Sequence, residues 1–170
     1  LVHFTILRTI SKMDSTPDRD LALIPFPVRE LFDEQLQRFD LIVFDHYIQR
    51  GMMRYTYFDN ISKYVQKGGA LLALAGPDFS SPAGLINTPL RDVLPVNPLE
   101  QNIRSRYTPK LTETGQKHPV TSVFNETQKD WGQLAHQVPA RPTQGQILME
   151  GAQQSPLLVL DRVREGRVGI

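Results

Sequence analysis

The stretch that decides the fold is "DLIVFDHYIQRGMMRYTYFDNISKYVQKGGALLALA", residues 40–75. It opens with a short apolar run between aspartates, residues 40–47, and closes with a second apolar run, residues 70–75. Continuous runs of this kind are typical of strands buried on both faces of a parallel sheet. Between them, residues 55–69 place apolar side chains at helical spacing and end in a glycine pair. The stretch therefore predicts a strand, a helix and a second, parallel strand.

The flanking sequence predicts a single α/β domain, residues 1–170, with a mostly parallel sheet. Prolines break residues 76–100 into loops and short pieces, which leaves the second half less regular. Apolar periodicity predicts one helix over residues 28–39. Further strands are predicted by short apolar or β-branched runs at residues 3–10, 146–151, 156–163 and 166–170, the last two joined by a tight turn at Arg164, Glu165 and Gly166.

Composition excludes several functions. The chain has 170 residues, 40% of them hydrophobic and 22% charged, with a net charge of +1. A net charge this close to zero does not predict a strongly basic surface, so we expect no nucleic-acid partner. No apolar run approaches the roughly 18 residues of a membrane helix. The absence of cysteine excludes disulfides and thiol catalysis. Because the chain starts at Leu1 and stops in a strand-like run, we expect a piece of a longer protein.

Polar side chains follow the two strands of the opening stretch and form the candidate crevice. Asp45, His46 and Arg50 follow the first strand, and Gly76 and Asp78 follow the second. Ligands of open α/β sheets bind beyond the carboxyl ends of strands. The aspartate and histidine could form a general base or a metal-binding pair, or could be turn and surface residues. The arginine could clamp a carboxylate or phosphate.

Other chemistry-bearing motifs are missing from the sequence. Ser80 and Ser81 are not in the G-x-S-x-G elbow that activates a serine nucleophile. His3, His118 and His136 show no metal-binding spacing, and the glycines match neither a dinucleotide fingerprint nor a P-loop. The sequence therefore predicts no cofactor, no metal site and no catalytic residue that can be named.

The strings "FDLIVFDHY" and "YVQKGGALLALAGPDF" (64–79) resemble the class I glutamine amidotransferase-like superfamily. In catalytic members of that superfamily, the second strand ends in G-x-C-x-G with the nucleophilic cysteine at the bend. Laid on this chain, the motif falls on residues 73–77, and Ala75 stands where the cysteine would be. "HPV" (118–120) is superficially like the histidine motif of the family, but it comes too early and lacks the acid. The resemblance therefore implies a domain without amidotransferase catalysis.

A resemblance over nearly the whole chain is carried by "FPVRELFDEQLQRFDLIVFDHYIQRG", "TPLRDVLPV", "LTETGQKHPVT" and "PLLVLDRVREGRV". These strings are similar to the amidotransferase-like domain of large, uncharacterised bacterial membrane proteins. The resemblance implies a flavodoxin-like three-layer sandwich with helices on both faces. It also implies localisation at the bacterial cell membrane, through transmembrane helices outside this chain.

Three functions stay open at this point. The first is a non-catalytic domain that binds a small ligand or a protein partner. The second is a hydrolase that uses acid–base or metal-assisted chemistry through Asp45 and His46. The third is a scaffold domain without pocket chemistry. A pocket lined by Asp45, His46 and Asp78 would favour the first two, whereas a filled crevice with a flat apolar patch would favour the third.

Overall fold

A computed structural model describes residues 27–51, 53–127 and 131–170, which form one six-stranded sheet and one two-stranded sheet. The strands in chain order are β1 (Leu41–Asp45), β2 (Ala70–Leu74), β3 (Val96–Pro98), β4 (Lys110–Leu111), β5 (Ala140–Pro142), β6 (Gln146–Glu150), β7 (Pro156–Val163) and β8 (Gly166–Gly169). The large sheet has the order β1-β2-β8-β7-β6-β4, and β3 pairs with β5. The strand predicted at residues 3–10 lies outside the described residues.

Two α-helices, α1 (Tyr55–Gln66) and α2 (Glu113–Lys117), and one π-helical turn (Glu30–Glu34) occur in the described part of the chain. Short 3₁₀ turns lie at Leu36–Arg38, Pro77–Ser80, Leu85–Asn87, Pro89–Asp92, Ser122–Phe124 and Ala152–Gln154. The helix predicted over residues 28–39 is therefore interrupted, because the backbone at Gln35 leaves the helical region (φ −109°, ψ 0°). Over the ranges described, no helix combines the length and apolar character needed to cross a bilayer.

The strand, helix and strand predicted for residues 40–75 are confirmed. β1 and β2 pair in parallel, and α1 lies between them along the chain. The helix buries Phe58, Ile61 and Val65 completely. It ends at Gly68, whose positive φ of 114° is a conformation that glycine adopts without strain. The unit is thus held by the apolar stripe that the sequence shows.

The prediction of a mostly parallel, flavodoxin-like three-layer sandwich is wrong. In the large sheet only β1–β2 and β2–β8 are parallel, while β8–β7, β7–β6 and β6–β4 are antiparallel. The physical reason is the tight turn predicted at residues 164–166, which is present. A turn this short can join only antiparallel strands, so β8 enters the sheet beside β2 with β7 as its hairpin partner. The described residues also contain too few helices for a helical layer on each face.

The two faces of the large sheet differ in how far they are covered. One face packs against α1 and the 3₁₀ turns, and its buried side chains are Ile42, Phe44, Leu71, Ala73, Val159 and Val168. On the other face, Leu41 and Val43 are 49% exposed and Leu74 is 45% exposed. The short helix α2 packs against β6, where Gly115 meets the backbone of Leu148. The prediction that β1 is buried on both faces is therefore wrong, since its residues alternate between buried and exposed.

Candidate functional site

The carboxyl ends of β1 and β2 meet, as the crevice prediction requires. Asp45 is the register partner of Leu74, and the backbone N–H of His46 donates to the Leu74 carbonyl oxygen over 2.9 Å. The loops that follow are also joined, because the Gln49 N–H donates to the Ala83 oxygen over 2.8 Å. Residues after the two strands thus form one connected surface.

His46 has an unusual backbone conformation and a close neighbour. Its φ is +46°, in the left-handed region that few non-glycine residues adopt. Its ring lies against Gly76, where an added Cβ would be only 2.7 Å from the His46 Cδ2. Its Nδ1 is 3.5 Å from Asp45 Oδ1, with both side chains about two-thirds exposed (67% and 69%). A pair this exposed contributes little to stability, so its geometry is set by the backbone and by Gly76.

The other two crevice candidates do not join this pair. Arg50 and Asp78 are exposed, and neither forms an ion pair with any residue in the described ranges. The structure therefore brings together Asp45, His46 and Gly76, while Arg50 and Asp78 are exposed charges on the loops that follow the two strands.

The enclosed space beside Ala75, on the side of Phe44 and Tyr47, is small. A cavity of about 10 Å³ at the end of β2 is lined by apolar and aromatic side chains that include Phe44, Tyr47 and Phe79. That is room for about one water molecule. Burial raises the pKa of Tyr47 to about 12, and its hydroxyl donates to Gln49 Oε1 over 2.7 Å. Asp45, His46 and Asp78 do not line this cavity.

Neither a metal centre nor a serine nucleophile is assembled in the described residues. No group of three or more histidine, aspartate or glutamate side chains within those ranges could hold a metal ion. The hydroxyls of Ser80 and Ser81 form no hydrogen bond to a histidine or carboxylate there. His118 has a local role, since its Nδ1 accepts from the Val120 N–H over 3.2 Å. His3 lies outside the described residues.

An open apolar groove lies between the two sheets, and the sequence interpretation missed it. Its volume is about 250 Å³. It is lined by Leu72, Ala73, Leu74, Ala75, Phe79, Val96, Gln137, Val138, Ala140, Pro156, Leu157, Leu158, Val159 and Ile170. The groove shares Leu72 and Leu74 with the exposed sheet face that carries Leu41 and Val43. The signal that could have revealed this face is the pair of arginines, Arg162 and Arg167, within otherwise apolar strands.

Gln137 is the one buried polar side chain that lines the groove. Its Nε2 donates to the carbonyl oxygens of Ser155 (3.1 Å) and Pro156 (2.9 Å). Its Oε1 accepts from the Ala152 N–H over 2.8 Å. Because both N–H groups of the amide are used in holding residues 152–156, it has no donor left for an occupant. The groove is therefore suited to apolar contact.

The mixed sheet with a parallel βαβ corner defines the class of fold, and comparison with solved structures agrees at that level. The chain is similar to cytoplasmic protein STM3548 from Salmonella typhimurium, with 21% identity and a TM-score of 0.66 over 88% of this chain and 63% of that one. It is also similar to cytoplasmic protein STM1381 from Salmonella typhimurium LT2, with 24% identity and a TM-score of 0.61 over 85% of this chain and 66% of that one. The chain is also similar to a β-galactosidase from Rahnella sp. R3, with 16% identity and a TM-score of 0.56. The match covers 81% of this chain but only 20% of the β-galactosidase chain.

These likenesses show the fold alone. The chain spans 63% and 66% of the two Salmonella proteins. No protein-family model matches it, and no curated protein does. The expectation of a flavodoxin-like fold is corrected, because the sheet is mixed. The transmembrane helices that the resemblance places outside this chain, and the amidotransferase-like family itself, stay predictions.

Proposed function

We propose that this is a non-catalytic domain for binding or assembly, and that it presents an apolar sheet face to a partner. The observation that carries the proposal is the contrast between the two candidate surfaces. The cavity of about 10 Å³ at the end of β2 is lined by none of the charged crevice candidates, whereas the face with Leu41, Val43 and Leu74 is open. Exposed apolar patches of this kind mark interaction surfaces.

The chemistry at the end of β2 supports the same proposal. Ala75 has a methyl group where the amidotransferase-like resemblance would place a thiolate, and a methyl group cannot attack an amide. The nearby imidazole of His46 is exposed and has no nucleophile to activate among the described residues. Without a nucleophile and a base held together, acyl transfer does not proceed by a covalent route.

Ammonia release from glutamine tests the proposal. We expect none above the buffer blank at any protein concentration, with an authentic amidotransferase as positive control. His46→Ala should behave like the wild type. Ammonia release that increases in proportion to protein and disappears in His46→Ala would contradict the proposal and favour the hydrolase hypothesis.

A second candidate function is the binding of a small ligand beside His46. It is favoured by one observation, the left-handed backbone of His46 held against Gly76, because strained residues cluster at functional sites. Thermal-shift measurements with zinc, manganese and phosphate test it. A stabilisation that is lost in Asp45→Asn but kept in Asp92→Asn would favour ligand binding. The absence of any shift would contradict ligand binding beside His46 and would favour the sheet face as the binding surface.

A further inference from the structure

The exposed face of the large sheet carries charges of opposite sign at its two ends. Residues that are register partners point to the same face, so Leu41, Ala70, Arg167 and Arg162 form one row across β1, β2, β8 and β7. The next row is Val43, Leu72, Gly169 and Leu160, and the last contains Asp45 and Leu74. An added Cβ on Gly169 would meet Leu160 Cδ2 and Leu72 Cδ1 at 2.9 and 3.1 Å, which confirms that these two leucines share the face. The face is thus basic at one end, apolar in the middle and acidic at the other end.

Arg162 and Arg167 are directly opposite each other on neighbouring antiparallel strands. Like charges in such a cross-strand pair destabilise a sheet. Both side chains are exposed, and no carboxylate in residues 27–51, 53–127 or 131–170 forms an ion pair with them. A carboxylate supplied from outside the chain would offset this repulsion. The arginine pair therefore indicates an occupant with an acidic group next to an apolar surface.

We propose that the occupant of this face is a second copy of the same chain, packed face to face about a two-fold axis. The chain's own face carries the required combination, because Asp45 and Leu74 lie at its end opposite the arginines. The inference rests on the proposed assembly function and specifies its partner.

The strand geometry determines how the two copies lie. Asp45 and Arg167 are separated by two strand spacings, about 10 Å, and by four residues along the strands, about 13 Å. A two-fold axis that crosses this diagonal places Asp45 of each copy over Arg167 of the other, and close to Arg162. The same axis makes the strands of the two sheets cross at nearly a right angle, one of the two arrangements in which sheets pack. Val43 and Leu74 then lie against the apolar rows of the other copy.

The size of the face sets the expected affinity. Four strands of five residues cover about 20 by 17 Å, so the interface is smaller than the roughly 800 Å² per partner of a standard stable complex. A reversible dimer with a micromolar dissociation constant is therefore expected. Sedimentation equilibrium of the 170-residue chain, at protein concentrations on the order of 1 to 500 μM, covers the relevant range.

Charge reversal is the sharpest test of the arrangement. Asp45→Lys and Arg167→Glu should each raise the dissociation constant by about tenfold or more, because each places like charges together at both symmetric contacts. The double variant should return to within about threefold of the wild type, since the pairs are restored with opposite polarity. Val43→Asp should also abolish the dimer. Val123→Asp is the matched control, because Val123 is 70% exposed but lies outside this face, and it should leave the dimer unchanged.

Folding controls and the results that would overturn the dimer complete the test. Circular dichroism confirms that each variant is folded, and Arg162→Glu replaces Arg167→Glu if the latter is not. A wild-type monomer at every concentration would overturn the proposal, and so would a dimer that the two single reversals leave intact. A monomer that binds a polyglutamate peptide through its arginine pair would assign the face to an acidic partner instead. Ammonia release from glutamine is measured on the same samples. A monomer that releases no ammonia refutes only the proposal that the partner is a second copy. A monomer that releases ammonia refutes the proposed non-catalytic function itself.

Discussion

Gly166 is the point where β8 touches the end of α1, and its replacement by alanine should destabilise the protein strongly. An added methyl group would overlap the Val65 carbonyl oxygen and lie 2.6 Å from the Gly69 oxygen, where ordinary contact begins at 3.4 Å. Both are backbone atoms, so the end of α1 or the whole of β8 must move. Overpacking of this kind costs about 3 kcal/mol. For a chain of this length, the melting temperature should fall by about 6–12 °C.

Thermal and urea unfolding followed by circular dichroism measure this effect. Gly132→Ala is the matched control, because its added methyl group meets nothing within 4 Å. Its unfolding free energy should stay within about 0.5 kcal/mol of the wild type. If Gly166→Ala melts within about 2 °C of the wild type, β8 does not pack against α1 as described, and the mixed strand order is refuted.

Three other predictions concern the crevice and the groove. Burial raises the pKa of Tyr47 from 10.0 to about 12. The buried tyrosine stabilises the fold in its neutral form, and this stabilisation is complete below pH 10 and is lost as the pH rises through 12. The free energy of unfolding should therefore fall between these pH values. The Tyr47→Phe variant, which has no hydroxyl to titrate, should lack this part of the fall. Gln137→Leu leaves three backbone groups of residues 152–156 without their partner and should cost about 2–4 kcal/mol in urea unfolding; a loss below about 0.5 kcal/mol would show that these bonds are not formed. Gly76→Ala should displace the His46 ring, visible as changed imidazole chemical shifts, yet change stability by less than about 1 kcal/mol because the ring is mostly exposed. Unchanged shifts would contradict the close contact.

The βαβ corner could be predicted from sequence because its signals are local. The apolar runs of β1 and β2 and the stripe through Phe58, Ile61 and Val65 lie within 36 residues and agree with one another. The hairpin turn at residues 164–166 was equally local. What joins these two pieces is the contact between β2 and β8, and no local pattern encodes which strands far apart in the chain become neighbours. The direction of most strand pairs was therefore predicted wrongly.

The exposed face could not be predicted because apolar content was interpreted as burial. Leu41 and Val43 are as apolar as Ile42 and Phe44, so hydropathy alone does not separate the two faces of β1. The distinction depends on which elements pack on each side, and that is a tertiary property. Of the candidate site, the meeting of Asp45 with the end of β2 followed from the parallel pairing. The left-handed turn at His46 did not, since histidine adopts that conformation rarely.

The position of β8 in the sheet has a consequence for biosynthesis. β2 leaves the ribosome before its neighbour on one side, Gly166–Gly169, has been synthesised. Pairing of two strands that are far apart in the chain is slow, because the entropic cost of closing the loop between them comes before any favourable contact forms. The growing chain must therefore hold β2 half-paired until β8 has been synthesised, a period in which chaperone capture would be most beneficial.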